Sequence, residues 1–274
     1  MANSPSRLKS YLFWKKKAEE DTTLLMGHGF PCSPEDWVKV GGDICPICDG
    51  FRHGKIGSEA EDLYCLCSTL DWVIRQREVT GAYEQSIEPA KLSDLISYDH
   101  PSPEASRNFK KLLEFMPKWI EYPKDWLLIA GGPGTGKTHI MRSIKTTLPE
   151  LSLYISSARL QQLGFSALSN GGVGELQSVL SGIPILLLDD WGLEHTTDFS
   201  TNIMAAIIDA RYAHPEEFVT VVTTNKSTGQ LNESPNMAIR RIASRMMDTQ
   251  KARVFILRHS DFRQPAIQNA IGAV

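Results

Sequence analysis

Eight consecutive residues carry the densest chemistry in this chain: Gly131, Gly132, Pro133, Gly134, Thr135, Gly136, Lys137 and Thr138. They fit G-x-x-x-x-G-K-[ST], a phosphate-binding loop. Glycines let backbone N–H groups close around phosphate oxygens, and a helix N-terminus adds partial positive charge there. In this pattern Lys137 reaches the β- and γ-phosphates and Thr138 sets its hydroxyl on Mg²⁺. The apolar run Trp126–Ala130 before the loop reads as a buried strand, and His139–Thr147 after it fits a helix. That context predicts a site for a nucleoside triphosphate.

Further chemistry follows downstream. Ile183–Leu188 reads as a strand with Pro184 near its start, and its apolar run from Ile185 ends in Asp189 and Asp190. Paired acids at the tip of such a strand form a Walker B pattern. Asp189 would hold Mg²⁺ directly or through water, and Asp190 would orient or deprotonate the attacking water. Aspartate reaches one methylene less far than the glutamate usual at that second place. Asn225 ends the run Thr223-Thr224-Asn225, where a polar side chain can reach between a γ-phosphate and the acid. An asparagine there also suits a plain turn. Arg241 and Arg245 lie four apart on one helical face. A cation offered to a neighbouring subunit's γ-phosphate stabilises transition-state charge, while the same spacing also fits a solvated basic face. Arg263 is a further candidate charge sensor.

These residues need strands and helices to hold them. Leu151–Ile155 and Phe218–Thr224 read as further strands. Ser157–Leu168, Glu175–Leu180 and Thr201–His214 read as helices, with a glycine-rich loop at 170–174. Alternation of strand and helix predicts a parallel sheet covered on both faces. Ligands of such sheets sit at the C-terminal strand ends, where the motifs fall. Pro101 and Pro103 disfavour continuous helix, so the expected domain border separates residues 1–98 from residues 99–274.

The first of these domains holds all five cysteines. Cys45 and Cys48 form a C-x-x-C knuckle, and Cys65 and Cys67 follow. Four thiolates so arranged would bind a structural Zn²⁺, a source of folding free energy for a segment with a thin core. Cys32, His28 and His53 are alternative ligands, and plain cytosolic thiols are the other reading. Trp72 with Leu66, Leu70, Val73 and Ile74 would form an apolar helix face, best explained by core packing. The formal net charge of the 274 residues is -3, which excludes a global basic field for nucleic acid. Any DNA contact must be local or assembled from several subunits. No apolar run approaches the roughly 20 residues of a membrane span, and no signal-peptide core follows the basic start at Arg7–Lys17. The expectation is a cytoplasmic protein without membrane contact.

The succession of P-loop, Leu186-Leu187-Leu188-Asp189-Asp190-Trp191-Gly192, Thr223-Thr224-Asn225 and Arg240-Arg241-Ile242-Ala243-Ser244-Arg245-Met246 resembles AAA+ ATPases of the bacterial helicase-loader family, the DnaC/DnaI type with the related IstB transposition helpers. The resemblance spans roughly Asp99 to Arg263. His139 after Gly-Lys-Thr is frequent in that family and joins the nucleotide-binding set. Asp189–Glu194 looks like its DD-x-G-x-E stretch, and Ala252–Arg263 like its C-terminal strand ending in an arginine. The resemblance implies an α/β fold, a P-loop AAA+ parallel sheet flanked by helices, lacking a full lid domain and preceded by a small zinc-binding, partner-docking N-terminal domain. It implies ATP and Mg²⁺ as ligands, Asn225 as sensor 1, Arg241 and Arg245 as the arginine-finger region, and Arg263 as a sensor 2-like residue. It further implies self-association into a ring or spiral, a hexameric DnaB-type replicative helicase as partner, and single-stranded DNA in the central channel. Three readings follow: a loader of a replicative helicase, plausible for a phage or prophage; an IstB-like transposition helper ATPase binding duplex DNA; and a slow-hydrolysing, nucleotide-controlled binding module.

Overall fold

The computed structural model describes residues 7–20, 53–55, 62–64, 68–69, 72, 81, 83–95, 103–192 and 198–258. The chain divides into two compact units, Met1–Ala82 and Tyr83–Val274.

In the first unit, α1 (Arg7–Glu20) accompanies a short antiparallel pair, β1 (His53–Lys55) and β2 (Asp62–Tyr64), with His53 opposite Tyr64. Leu8 and Leu12, one helical turn apart, are buried with Trp14 and Leu63. Polar anchors fix the helix to β2. The Trp14 indole N–H donates to the Tyr64 carbonyl at 2.9 Å, and the Tyr64 N–H donates to Ser10 Oγ at 2.8 Å. The Arg7 guanidinium lies 4.3 Å from the centre of the Tyr64 ring. The Tyr64 N–H and carbonyl are thus satisfied by side chains. The expected zinc ligands Cys45, Cys48, Cys65 and Cys67, with the alternatives Cys32 and His28, lie outside the described residues, as do four of the five residues of the expected apolar face beside Trp72. Among the described residues no group of three or more His, Cys, Asp or Glu is placed to hold a metal ion.

The second unit opens with an extended segment, Tyr83–Ala90, and a 3-10 turn at Leu92–Leu95. Helix α2 (Pro103–Glu121) follows. It buries Phe109, Leu112, Met116 and Trp119, a single stripe at helical spacing. The remaining elements are β3 (Trp126–Gly131), α3 (Lys137–Thr147), β4 (Ser152–Ser156), α4 (Ser157–Ser169), α5 (Val173–Gly182), β5 (Ile185–Trp191), α6 (Asp198–Tyr212), β6 (Val219–Thr224), α7 (Thr228–Asn232), α8 (Met237–Met246) and β7 (Ala252–Leu257). The strands form one five-stranded parallel sheet in the order β4-β5-β6-β3-β7. β3, β5 and β6 are buried along nearly their whole length, as parallel strands covered by helices must be. The strand order reverses at β3, whose neighbours are the late strands β6 and β7, and this switch point is where α/β sheets bind ligands.

The segment Tyr83–Leu95 belongs with this unit, ahead of the border expected after residue 98. Acceptors and ions along α3 hold it. Glu84 pairs with Lys145, and Glu88 pairs with Arg142 at 3.5 Å. The Ala90 N–H donates to Thr146 Oγ1 at 3.2 Å, and the Lys91 carbonyl lies 2.8 Å from His139 Nε2. The contacts reach from Thr146 and Lys145 in the last turn of α3 to His139 in its first turn, so the strap lies along the length of the helix.

At the far end of the sheet Arg211 of α6 is fully buried. It donates to the carbonyls of Leu180, Ile183 and Val219 and to Thr220 Oγ1. Burial pushes its guanidinium down to about 9. The ring of carbonyls keeps it charged at neutral pH and satisfies both the end of α5 and the entry of β5 and β6.

Candidate nucleotide-binding site

The loop between β3 and α3 is shaped by glycines at three decisive places. Gly134 and Gly136 take φ of 70° and 83°, where a Cβ is strained. A Cβ on Gly131 would stand 2.7 Å from the Leu257 carbonyl oxygen of the paired strand β7. Lys137, only 5% exposed, is tucked beneath the loop. Its ammonium donates to the Gly131 and Gly132 carbonyls at 2.8 and 2.7 Å. Thr135 Oγ1 donates to the Gly132 carbonyl at 2.9 Å. A compact ammonium below a cup of backbone amides, with the N-terminus of α3 pointing into it, is built for polyphosphate.

A cleft of about 460 Å³ opens over this loop. It is lined by Pro133–His139, Asp190, Asn225, Asp94 and Leu95. Three strand ends therefore meet there: β3 supplies the loop, β5 supplies Asp190, and β6, between them, supplies Asn225. The Asn225 side-chain oxygen is buried and finds no hydrogen-bond partner among the described residues. A buried acceptor without a partner disfavours the bare fold, and its place in the cleft fits a ligand that donates or carries bound water. Thr138 and Asp190 give the cleft a hydroxyl and a carboxylate, hard oxygen ligands of the kind Mg²⁺ takes. The residues present fit a magnesium nucleotide.

The two acids differ. The ladder between β5 and β6 shifts register between Leu188 and Trp191. Within this bulge Asp190 takes φ 57°, the one positive-φ non-glycine residue among those described. Its N–H donates to Thr223 Oγ1 at 2.9 Å, and its carbonyl accepts from Ser157 Oγ at 2.9 Å. Asp189 is buried and absent from the cleft lining. It accepts from the Tyr154 hydroxyl at 2.7 Å and from the Thr223 hydroxyl. Burial first, then donation to the Asp189 carboxylate, raises the Tyr154 phenol above its ordinary range. Asp189, expected at the metal, thus faces β4 and β6, while Asp190 faces the cleft.

Arg241 and Arg245 stand together on α8, and neither lines the cleft. Both pair with Asp209 of α6, Arg245 Nε at 3.5 Å. The Arg245 guanidinium also lies 4.7 Å from the centre of the Tyr212 ring. His139 lines the cleft while its Nε2 approaches Lys91. Arg263, Leu193 and Glu194 lie outside the described residues. Sequence reasoning missed Asp94, Leu95, Tyr154, Thr223 and Asp209. Only the hydroxyl of Thr223 in a strand otherwise suited to valine offered a signal, since a buried hydroxyl demands partners.

A five-stranded parallel sheet, a phosphate loop at its switch point and an acid-tipped strand two places away fit a P-loop AAA+ α/β domain. Residues 75–255 match the family described as IstB-like ATP-binding protein. The chain belongs to that family, one named in the resemblance read from the motifs. No curated protein matches. Among solved structures, the replication initiator DnaA bound to AMPPCP and single-stranded DNA is 16% identical, with a TM-score of 0.50 over 63% of this chain and 51% of that one. The chain thus spans about half the length of that DnaA, and the likeness is one of fold. The crystal structure of DnaI is 21% identical (TM-score 0.49) over 62% of this chain and 91% of its own. The DnaC helicase loader is 18% identical (TM-score 0.49) over 61% and 96%. Among the described residues no helix is long and apolar enough to cross a membrane.

Proposed function

We propose that this chain is an ATPase that loads a replicative, DnaB-type helicase onto single-stranded DNA. The observation that carries the ATPase half is the meeting of Lys137, Thr138, Asp190 and the unpartnered Asn225 oxygen in one cleft. Magnesium, when bound, neutralises charge between the β- and γ-phosphates. The loop amides and Lys137 grip the phosphate chain, with the ammonium exchanging its carbonyl partners for phosphate oxygens. Thr138 and Asp190 face the metal side. Asp190 orients the attacking water, and Asn225 holds that water or the γ-phosphate from the neighbouring strand. Asp189 would help hold the metal through water. Arg241 and Arg245 serve a neighbouring subunit in a ring or spiral, and Arg263 senses the nucleotide.

The loader half rests on the order of motifs and on a cysteine-rich first unit that would dock the partner. A Zn²⁺ held by Cys45, Cys48, Cys65 and Cys67 suits the hairpin, since His53 and Tyr64 are paired at one end and the two cysteine pairs adjoin that end in sequence. The family match favours a second reading, a transposition helper on duplex DNA. Either role belongs in the cytoplasm.

Turnover of ATP with and without single-stranded DNA, together with co-purification against a DnaB-type hexamer, tests the proposal. Stimulated turnover and a stable complex are expected. ATP-dependent assembly on duplex DNA with no helicase bound would replace the loader reading by the transposition one. Absence of hydrolysis would leave a nucleotide-controlled binding module. Metal analysis of the purified chain is expected to find one zinc, and a metal-free, folded first unit would remove that part.

A further inference from the structure

One oxygen atom touches both acids at the tip of β5. Thr223 Oγ1 donates to Asp189 and accepts the Asp190 N–H at 2.9 Å. The direction is fixed by chemistry, because an ionised carboxylate only accepts and an amide only donates. Thr223 is fully buried on β6, beside Val221 and Val222, in a place where valine has the same shape and equal strand propensity. The hydroxyl is therefore unnecessary for packing. Among the described residues its two partners are the acid pair, and Asp190, whose φ of 57° costs free energy even for an aspartate, is held there by this bond on its N–H together with the Ser157 hydroxyl on its carbonyl. Released from it, Asp190 would relax toward extended backbone, and strand alternation would turn its carboxylate out of the cleft.

We infer that Thr223 is a positioning residue for the acid pair, whose hydroxyl holds Asp190 in its left-handed conformation and thereby aims that carboxylate at the metal side of the nucleotide. The inference rests on the ATPase reading above and adds a residue that touches neither nucleotide nor metal.

The test uses the full chain with Thr223→Val and Thr223→Ser. A fluorescent ATP analogue is titrated with and without Mg²⁺, and turnover is measured alongside. For Thr223→Val, metal-free affinity should stay within about twofold of the parent, the gain in affinity brought by Mg²⁺ should shrink about fivefold, and turnover should fall about tenfold or more. Thr223→Ser should keep both within about twofold. If the valine chain does not fold, Thr223→Ala beside Thr223→Ser repeats the comparison with a single oxygen between them. A valine or alanine chain that matches the parent in magnesium response and turnover overturns the inference, as does a serine chain as impaired as they are. A parent that binds no nucleotide overturns the ATPase reading itself.

Discussion

The cleft at the strand ends and the face shared by α6 and α8 both bring cations and acids together, on opposite principles. In the cleft the groups are differently held. Lys137 rests on two carbonyls, Asn225 keeps a buried oxygen without a partner, and Asp190 is bent into an unfavourable backbone region. On the helical face the charges are already paired by proximity, although both Asp209 oxygens and Arg245 Nε lack a well-formed hydrogen bond among the described residues. Asp209 takes both Arg241 and Arg245, and Tyr212 lies under Arg245 and Lys251 while its hydroxyl donates to Asp248. Strained and unpaired groups collect where a ligand will complete them, whereas a self-neutralised face needs a competing anion before it can act. One chain therefore carries a phosphate-loop cleft open to a ligand and a pair of arginines held by an acid of its own.

The sharpest way to break this contrast is to empty the cleft. Lys137→Ala should cut affinity for the ATP analogue about a hundredfold and abolish measurable turnover; unchanged affinity in the same titration would end the nucleotide reading. Arg241→Ala should leave affinity intact yet lower turnover about a thousandfold, the scale of a cation acting in trans. Turnover equal to the parent would return that face to a purely structural part. Asp209→Asn should move turnover the other way. Freed arginines meet a neighbour's phosphate more readily, and a partly exposed ion pair of up to about 1 kcal/mol allows a rise of about twofold to fivefold. A fall would mean that Asp209 aims the arginines instead of restraining them.

The smallest effect concerns pH. The Tyr212 hydroxyl first, then the Gln250 N–H, hold the Asp248 carboxyl below its ordinary range. A depressed folded-state value makes the carboxylate stabilising above the ordinary value near pH 4, and that contribution is lost as pH falls through the folded value. Asp248→Asn should therefore lower the denaturation midpoint at pH 7, with the gap to the parent closing in acid. A gap that persists in acid would show that charge plays no part.

The β3–loop–α3 unit was legible almost to the residue, because a glycine pattern fixes backbone geometry and its flanks carry clear periodicity. The strand expected over Ile183–Leu188, with two acids at its tip, runs from Ile185 to Trp191. The reason lies in Asp190: strand alternation could not foresee a bulge made by a non-glycine residue with positive φ, which leaves Asp190 lining the cleft and Asp189 buried against Tyr154 and Thr223. The strap at Tyr83–Leu95 was assigned to the N-terminal part. It has no apolar periodicity and is held by separate polar contacts to α3, which no local pattern announces. Arg211 and Asp209 escaped for a related reason. Their partners lie on other elements, and a charged residue on a helix reads as solvated until the fold encloses it.

The contact between Gly131 and Leu257 has a mechanical meaning. With 2.7 Å from an added Cβ to the Leu257 carbonyl oxygen and 2.8 Å to the Leu257 Cβ, the two strands abut so closely that little room is left to absorb a shift. A tug on β7 would pass undamped into the root of the phosphate cup. The last described strand is thus a handle on the cup, and whatever grasps the chain beyond Leu257 has a short lever on how tightly it closes.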